Sequence, residues 1–344
     1  MKYLIFRTDR IGDFLITLPL LKSIKRNKKN SKITIVASPK NIEFIKKIVI
    51  VDEVFLLKSN NFMDKFRLFL KLRKYSYDTI IVSDKKNRSI FLSLFLNATK
   101  KVFNVSKNSQ KKLLSLFFKN IFIDNDELQN LPVKEILKNN CEALNIDFNN
   151  IDYKIFEENQ FINEFNLKKI IDLEKLKYVV FHYDEKWELE NYSKLFKKAK
   201  NLTDLNIDKN SFIQFLKKLS EKTSMDIIVT TGYLNTNILN EIKKNSIRIN
   251  KSLYEINLNK DKKFFLVIDQ DFFSMLHIIS KSNLFISCHG AFTHIASNYD
   301  IKILDIIEEN KKKHYSRITD HMKNYRTLYR KNCLELFNEI INCS

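Results

Sequence analysis

Short apolar runs recur along the chain, each followed by a polar turn and then by apolar positions spaced three and four apart. Strands and helices taken in turn leave that double pattern. Residues 2–7 read as a first strand, 8–13 as its loop, and 14–27 as a helix that Pro19 either kinks or begins. Strands follow at 32–38, 53–57 and 78–83, with helices at 41–48, 62–74 and 89–98 and a basic amphipathic stretch at 110–120. The stretch 121–175 is polar, Asn-rich and acidic, and reads as a helix over 133–144 and a linker. A second series then begins. Strands are predicted at 178–183, 225–231, 264–268, 283–287 and 302–307. Helices are predicted at 191–200, 211–222, 236–244, 272–282 and 291–299, and a last one at 333–341. Such alternation implies parallel sheets with helices on both faces, in two Rossmann-like halves whose ligands bind at the carboxyl ends of the strands.

Composition changes this picture in one respect. Only three of 344 residues are glycine, against roughly 7% in ordinary proteins. Gly12, Gly232 and Gly290 therefore mark positions where a side chain is poorly tolerated. The apolar fraction of 44% excludes a disordered chain, and no apolar run has the length of a transmembrane helix. The N-terminal apolar run is too short for a signal peptide, and the four cysteines form no CxxC pair, so the cytoplasm is the expected compartment.

The net charge of +20 is unevenly spread. Residues 1–120 hold 27 Lys/Arg against 8 Asp/Glu, and the rest of the chain is nearly balanced. Codon bias towards lysine predicts a uniform excess. The concentrated one points to an anionic partner for the first domain: nucleic acid, a phospholipid surface or a phosphorylated substrate.

Three loops at strand ends carry candidate chemistry. The first, 7–13, presents Gly12 and Asp13 without the GxGxxG of a dinucleotide site. Asp13 reads as a helix N-cap, as a general base, or as both. The second, 182–187, holds the only tryptophan and Lys186, either solvated or placed to neutralise a diphosphate. In the third, 287–294, small residues lead into a helix whose N–H groups suit a phosphate. Cys288 beside His289 is a poor nucleophile–base pair, because neighbours on a strand point to opposite faces. Asp269-Gln270-Asp271 matches a metal-binding DxD, but N-capping of the following helix explains it better.

Together the motifs RTDRIGDFLITLPLLKSIK, YVVFHYDEKW, IIVTTG and CHGAFTHIAS, in this order over residues 1–310, resemble glycosyltransferase family 9, the ADP-heptose:lipopolysaccharide heptosyltransferases. This chain departs from the family's (D/E)-G-G-x-x-H motif, with His289 at the acid and Ala291 at the second glycine. The resemblance implies a GT-B fold, two Rossmann-like domains facing an interdomain cleft. These would be an acceptor domain at 1–165, a donor domain at 176–325, and a final helix in 326–344 crossing back to the first domain.

It also implies inverting, metal-independent transfer of a heptose-like sugar from a nucleoside diphosphate, with no cofactor. By resemblance Asp13 is the base. Gly12, Tyr183, Lys186, Gly232, His289, Gly290, Ala291, Phe292, Thr293 and His294 face the donor. Arg10, Lys85, Lys86 and Arg88 face an anionic glycolipid acceptor, at the inner face of a membrane to which the protein binds peripherally. The alternatives are a non-hydrolysing sugar-nucleotide epimerase, and a non-catalytic protein that binds anionic surfaces or nucleic acid, for which no nucleic-acid motif speaks.

Overall fold

The computed structural model describes residues 1–117, 122–124, 131–148, 173, 175–195, 202–234, 236–259 and 261–344. The chain forms two units, residues 1–155 with 316–321 and residues 156–315 with 322–344.

In the first unit, strands β1 (Lys2–Phe6), β2 (Lys32–Ala37), β3 (Glu53–Leu56), β4 (Tyr77–Val82), β5 (Ala98–Val105) and β6 (Phe122–Asp124) pair in parallel, in the order β3-β2-β1-β4-β5-β6. β1 is apolar on both faces, with Tyr3, Leu4, Ile5 and Phe6 all buried, as helices above and below a parallel sheet require. The order reverses between β1 and β4, and a doubly wound sheet opens its crevice at that point. Helix α1 (Ile11–Asn27) follows β1 and contains Pro19, so the proline lies inside the helix rather than at its start. The helix begins three residues earlier than expected and takes Gly12 and Asp13 into its first turn. Helices α2 (Ile42–Ile45), α3 (Phe62–Leu72), α4 (Asn87–Leu94) and α5 (Asn108–Phe117) connect the later strands.

The second unit holds β7 (Tyr178–Tyr183), β8 (Asp226–Thr231), β9 (Ile247–Arg248), β10 (Leu253–Glu255), β11 (Phe264–Val267), β12 (Leu284–Cys288), β13 (Lys302–Ile307) and β14 (Tyr325–Tyr329). Their order is β14-β13-β12-β7-β8-β11-β10-β9, with β9 and β10 antiparallel at one edge. The reversal here falls between β7 and β12, the strands that precede the second and third candidate loops.

The final helix, expected against the first domain, is Cys333–Cys343 and belongs to the second unit. Its apolar face (Leu336, Phe337, Ile340) lies in the second unit's core, where Phe337 stacks on Phe215 with ring centroids 4.1 Å apart. The apolar face of helix Lys209–Thr223 is its partner, so burial decides the docking. The tail segment that belongs to the first unit is 316–321, where Arg317 Nε donates to the Leu131 carbonyl at 3.0 Å. Most of the expected linker lies outside the described residues.

Candidate functional site

At the β1/β4 reversal a cavity of about 1000 Å³ opens in the first unit. Its wall includes Asp13, Arg10, Lys85, Lys86 and Arg88, so the structure gathers the expected base and all four expected acceptor cations. Eight lysines and arginines line it against two aspartates, a balance of charge that attracts anions.

Buried hydrogen bonds shape this mouth. Arg7, just beyond β1, donates through Nε (2.9 Å) and Nη2 to the carbonyl of Asp13 and through Nη1 to the carbonyl of Ser83 at 2.8 Å. It thereby fixes the start of α1 against the end of β4. Asp84 fastens the same two loops. Its Oδ2 accepts from Thr8 Oγ1, from the Thr8 N–H at 3.2 Å and from Ser89 Oγ at 2.6 Å. Asp13 stands at the third helical position rather than the cap, and its Oδ2 accepts from the N–H of Arg10 at 3.2 Å. Lys86 Nζ and Arg88 Nη2 both reach the Thr8 carbonyl, at 2.9 and 3.3 Å.

Lys85 and Asp9 at the mouth are shifted from their ordinary values in opposite directions. Burial, with Arg7 and Arg317 nearby, lowers the Lys85 ammonium to about 8, and its backbone is left-handed, with φ of 57°. Burial raises the carboxyl of Asp9 against the pull of Arg7, which pairs with it at 3.4 Å. Sequence reasoning passed over Asp9 and Asp84. A carboxylate two or three residues after each of two neighbouring strands was the available signal.

In the second unit the β7 and β12 loops are joined by Lys186. Its Nζ pairs with Asp184 Oδ2 at 2.7 Å and donates to the carbonyls of Cys288 (3.1 Å) and His289 (2.8 Å). Burial opposes its charge, yet Asp184 holds its pKa above the usual lysine value. Arg330, paired with Glu308 at 3.0 Å, holds the Lys186 carbonyl at 2.8 Å. Two glycines admit this arrangement. A Cβ on Gly232 would lie 2.9 Å from the Cα of Asp184, and one on Gly290 would lie 3.2 Å from Lys186 Nζ.

His289 leaves the strand towards a fully buried carboxylate. Its Nδ1 donates to Asp305 Oδ2 at 2.6 Å, and Tyr325 donates to the same oxygen at 2.7 Å. Thr293 Oγ1 donates to Asp305 Oδ1 at 3.1 Å and accepts from the N–H of Gly290 at 3.2 Å. His294 is buried with its ring against His289, and Ala291 and Phe292 are half-buried at the turn.

Strand register lies beneath this cluster. Thr230, His182, Ser287, Asp305 and Thr327 stand side by side across β8, β7, β12, β13 and β14. They form one polar row near the strand ends. Burial lowers His182 to about 4, so its ring is neutral beside Thr230 Oγ1 at 2.9 Å. Asp305 was missed in the sequence, although a single polar residue late in an otherwise apolar strand was its mark.

One of the expected donor residues needs correction. Tyr183, expected on the donor, is fully buried in the core, with its ring stacked on Trp187 and its hydroxyl on Glu188 Oε1 at 3.2 Å. Strand alternation sends it to the face opposite His182. Gly12 stands in the first turn of helix α1, in the first unit. The Cys288 thiol is buried and pushed up to about 12, which removes it as a nucleophile. Asp271 caps its helix by accepting from the N–H groups of Phe273 and Ser274 at 2.8 and 3.0 Å.

No family model matches the chain, and no curated protein matches it. Solved structures do. The E. coli heptosyltransferase WaaC with ADP is 13% identical over 100% of both chains, with a TM-score of 0.68. The glycosyl transferase family 9 protein of Veillonella parvula is 11% identical over 100% of this chain and 92% of its own, with a TM-score of 0.69. A UDP-GlcNAc 2-epimerase from Methanocaldococcus jannaschii is 12% identical over 99% and 92%, with a TM-score of 0.55. At such identities the likeness establishes the fold, which is GT-B with two Rossmann-like units.

Proposed function

We propose that the protein is a glycosyltransferase that moves a heptose-like sugar from a nucleoside diphosphate to an anionic glycolipid acceptor. The observation that carries this reading is the convergence of Asp13, Arg10, Lys85, Lys86 and Arg88 on one cation-lined cavity at the sheet reversal. The likeness to heptosyltransferases, one of them bound to ADP, supports the choice of donor.

In this reading Asp13 takes the proton of the acceptor hydroxyl as that oxygen attacks the anomeric carbon from the side opposite the diphosphate, which inverts the centre. The surrounding cations hold the acceptor's phosphates. The N–H groups of the 289–292 turn face the departing diphosphate, where charge develops. Lys186 acts by positioning: its hydrogen bonds to Asp184 and the Cys288 and His289 carbonyls keep that turn in place. His289, carried by Asp305, supplies a ring nitrogen where relatives of this motif place an acid. The residues named need no metal for these steps, and transfer is expected to survive a chelator.

Replacing Asp13 by Ala should lower transfer by about 10²–10⁴ while nucleotide binding stays near wild type. Near-normal transfer by that variant would remove Asp13 from the mechanism. The likeness to an epimerase favours one rival, and incubating donor without acceptor separates the two, since an epimerase converts the sugar alone.

A further inference from the structure

We propose that the exposed face of α3 and α4 docks on an anionic phospholipid bilayer and brings the cavity mouth to the lipid surface. The inference rests on the acceptor reading above for its choice of a lipid partner. It concerns a surface outside the residues that reading assigns.

Helix α3 fully buries only Leu68 and Leu72. Phe62, Phe66 and Leu70, one turn apart, stand out at 72%, 44% and 39% exposure. Beside this apolar stripe runs a second exposed one, Arg67, Lys71 and Lys74. A surface helix normally turns its apolar stripe inward. Here an apolar stripe and a cationic stripe both face solvent, the pattern of a helix that lies in a membrane interface. Phe91 on α4 and Phe95, directly after its last residue, are 55% and 59% exposed. The two helices meet at the cavity, because Lys65 of α3 and Phe91 of α4 both line it. Exposed rings therefore sit at the rim of a cavity lined with cations.

Charge selects the occupant. A second copy of the chain would bring the same lysine-rich surface against this one, and like charges repel. Nucleic acid would use ring faces, but Phe62 and Phe66 stack on each other with planes 10° apart. A bilayer with anionic headgroups takes the rings among its acyl chains and the cations at its surface.

The test is co-sedimentation of the full chain with vesicles of phosphatidylcholine, alone or with phosphatidylglycerol. The wild type should sediment with the anionic vesicles and release at high salt. The double variant Phe62→Ser/Phe66→Ser should bind them at least about tenfold more weakly. Its thermal midpoint and ADP binding should be unchanged. Arg67→Gln/Lys71→Gln should reduce the preference for phosphatidylglycerol. The proposal falls if the wild type ignores anionic vesicles, or if the phenylalanine variant binds them as well as wild type. It also falls if that variant instead abolishes a dimer or RNA binding. A chain that binds vesicles but transfers no sugar sinks the catalytic reading alone. One that glycosylates a water-soluble acceptor but ignores vesicles sinks this proposal alone.

Discussion

Lys85 combines a left-handed backbone with a lowered pKa at the mouth of the cavity. A non-glycine residue held there costs on the order of 1–3 kcal/mol, and such residues gather at functional sites. If its ammonium grips an anionic acceptor, that grip is present below about 8 and lost as pH rises through it. The acceptor KM should therefore climb between neutral and mildly alkaline pH, and Lys85→Arg, which stays charged, should flatten the climb. An unchanged profile in that variant would assign the effect elsewhere. His182 gives the opposite limb. Its folded pKa of about 4 lies below the ordinary histidine value of 6.5, so acid lets the unfolded chain bind a proton that the folded chain refuses. Stability is whole above 6.5 and is lost as pH falls towards 4, by roughly 3 kcal/mol at most. Urea titrations at neutral and acid pH should show the loss in wild type and a smaller one in His182→Gln. At this scale the gathering of Asp13 and the cations on one cavity was legible, since they stand in the segments that follow β1 and β4. Asp84 and Asp305 were not, because their meaning comes from partners 76 and 12 residues away.

Elements were legible where one period dominated. The first-unit strands 2–7, 32–38 and 53–57 and the helix at 272–282 lie within a residue or two of their expected places. β5 escaped because Lys100 and Lys101 interrupt its apolar run. Lys101 is buried nonetheless, and its ammonium donates to the Leu94 carbonyl at 2.9 Å. β14 escaped because an edge strand needs only one apolar face. The scarcity of glycine also shows at helix ends. Asn145 and Ser224 take left-handed φ of 53° and 56° directly after helices Val133–Ala143 and Lys209–Thr223. Glycine is ordinarily placed there because it carries no penalty. Ser224→Gly should raise stability by about 1 kcal/mol, read as a higher urea midpoint at unchanged slope. A lower midpoint would show that the serine makes a contact that matters more than its strain.

For the whole molecule, alternation alone announced two parallel-sheet units, and both are present with their order reversals at β1/β4 and β7/β12. The edge pair β9 and β10 was beyond reach, because strands of two and three residues leave no period to read. The charge contrast was legible, and its use was not. Among the described residues no helix is long and apolar enough to cross a membrane. A count of lysines does not single out the face proposed above for docking, and the exposed phenylalanines of α3 and α4 are what mark it.

The polar row Thr230–His182–Ser287–Asp305–Thr327 has a consequence for how the chain finds its shape. Side chains alternate between the faces of a strand, so a slip of one residue would send a row member to the opposite face. For Ser287 or Asp305 that face holds Tyr183, Cys288 and Ile306, in the apolar core that also contains Trp187. Near the carboxyl ends, β7, β12 and β13 otherwise carry aliphatic and aromatic residues that tolerate several alignments. Five polar residues in line penalise any one-residue slip of a strand against its neighbour. The row works as a key for alignment during folding, and a strand that closes a long loop to reach its partner is penalised at once if it arrives one notch out.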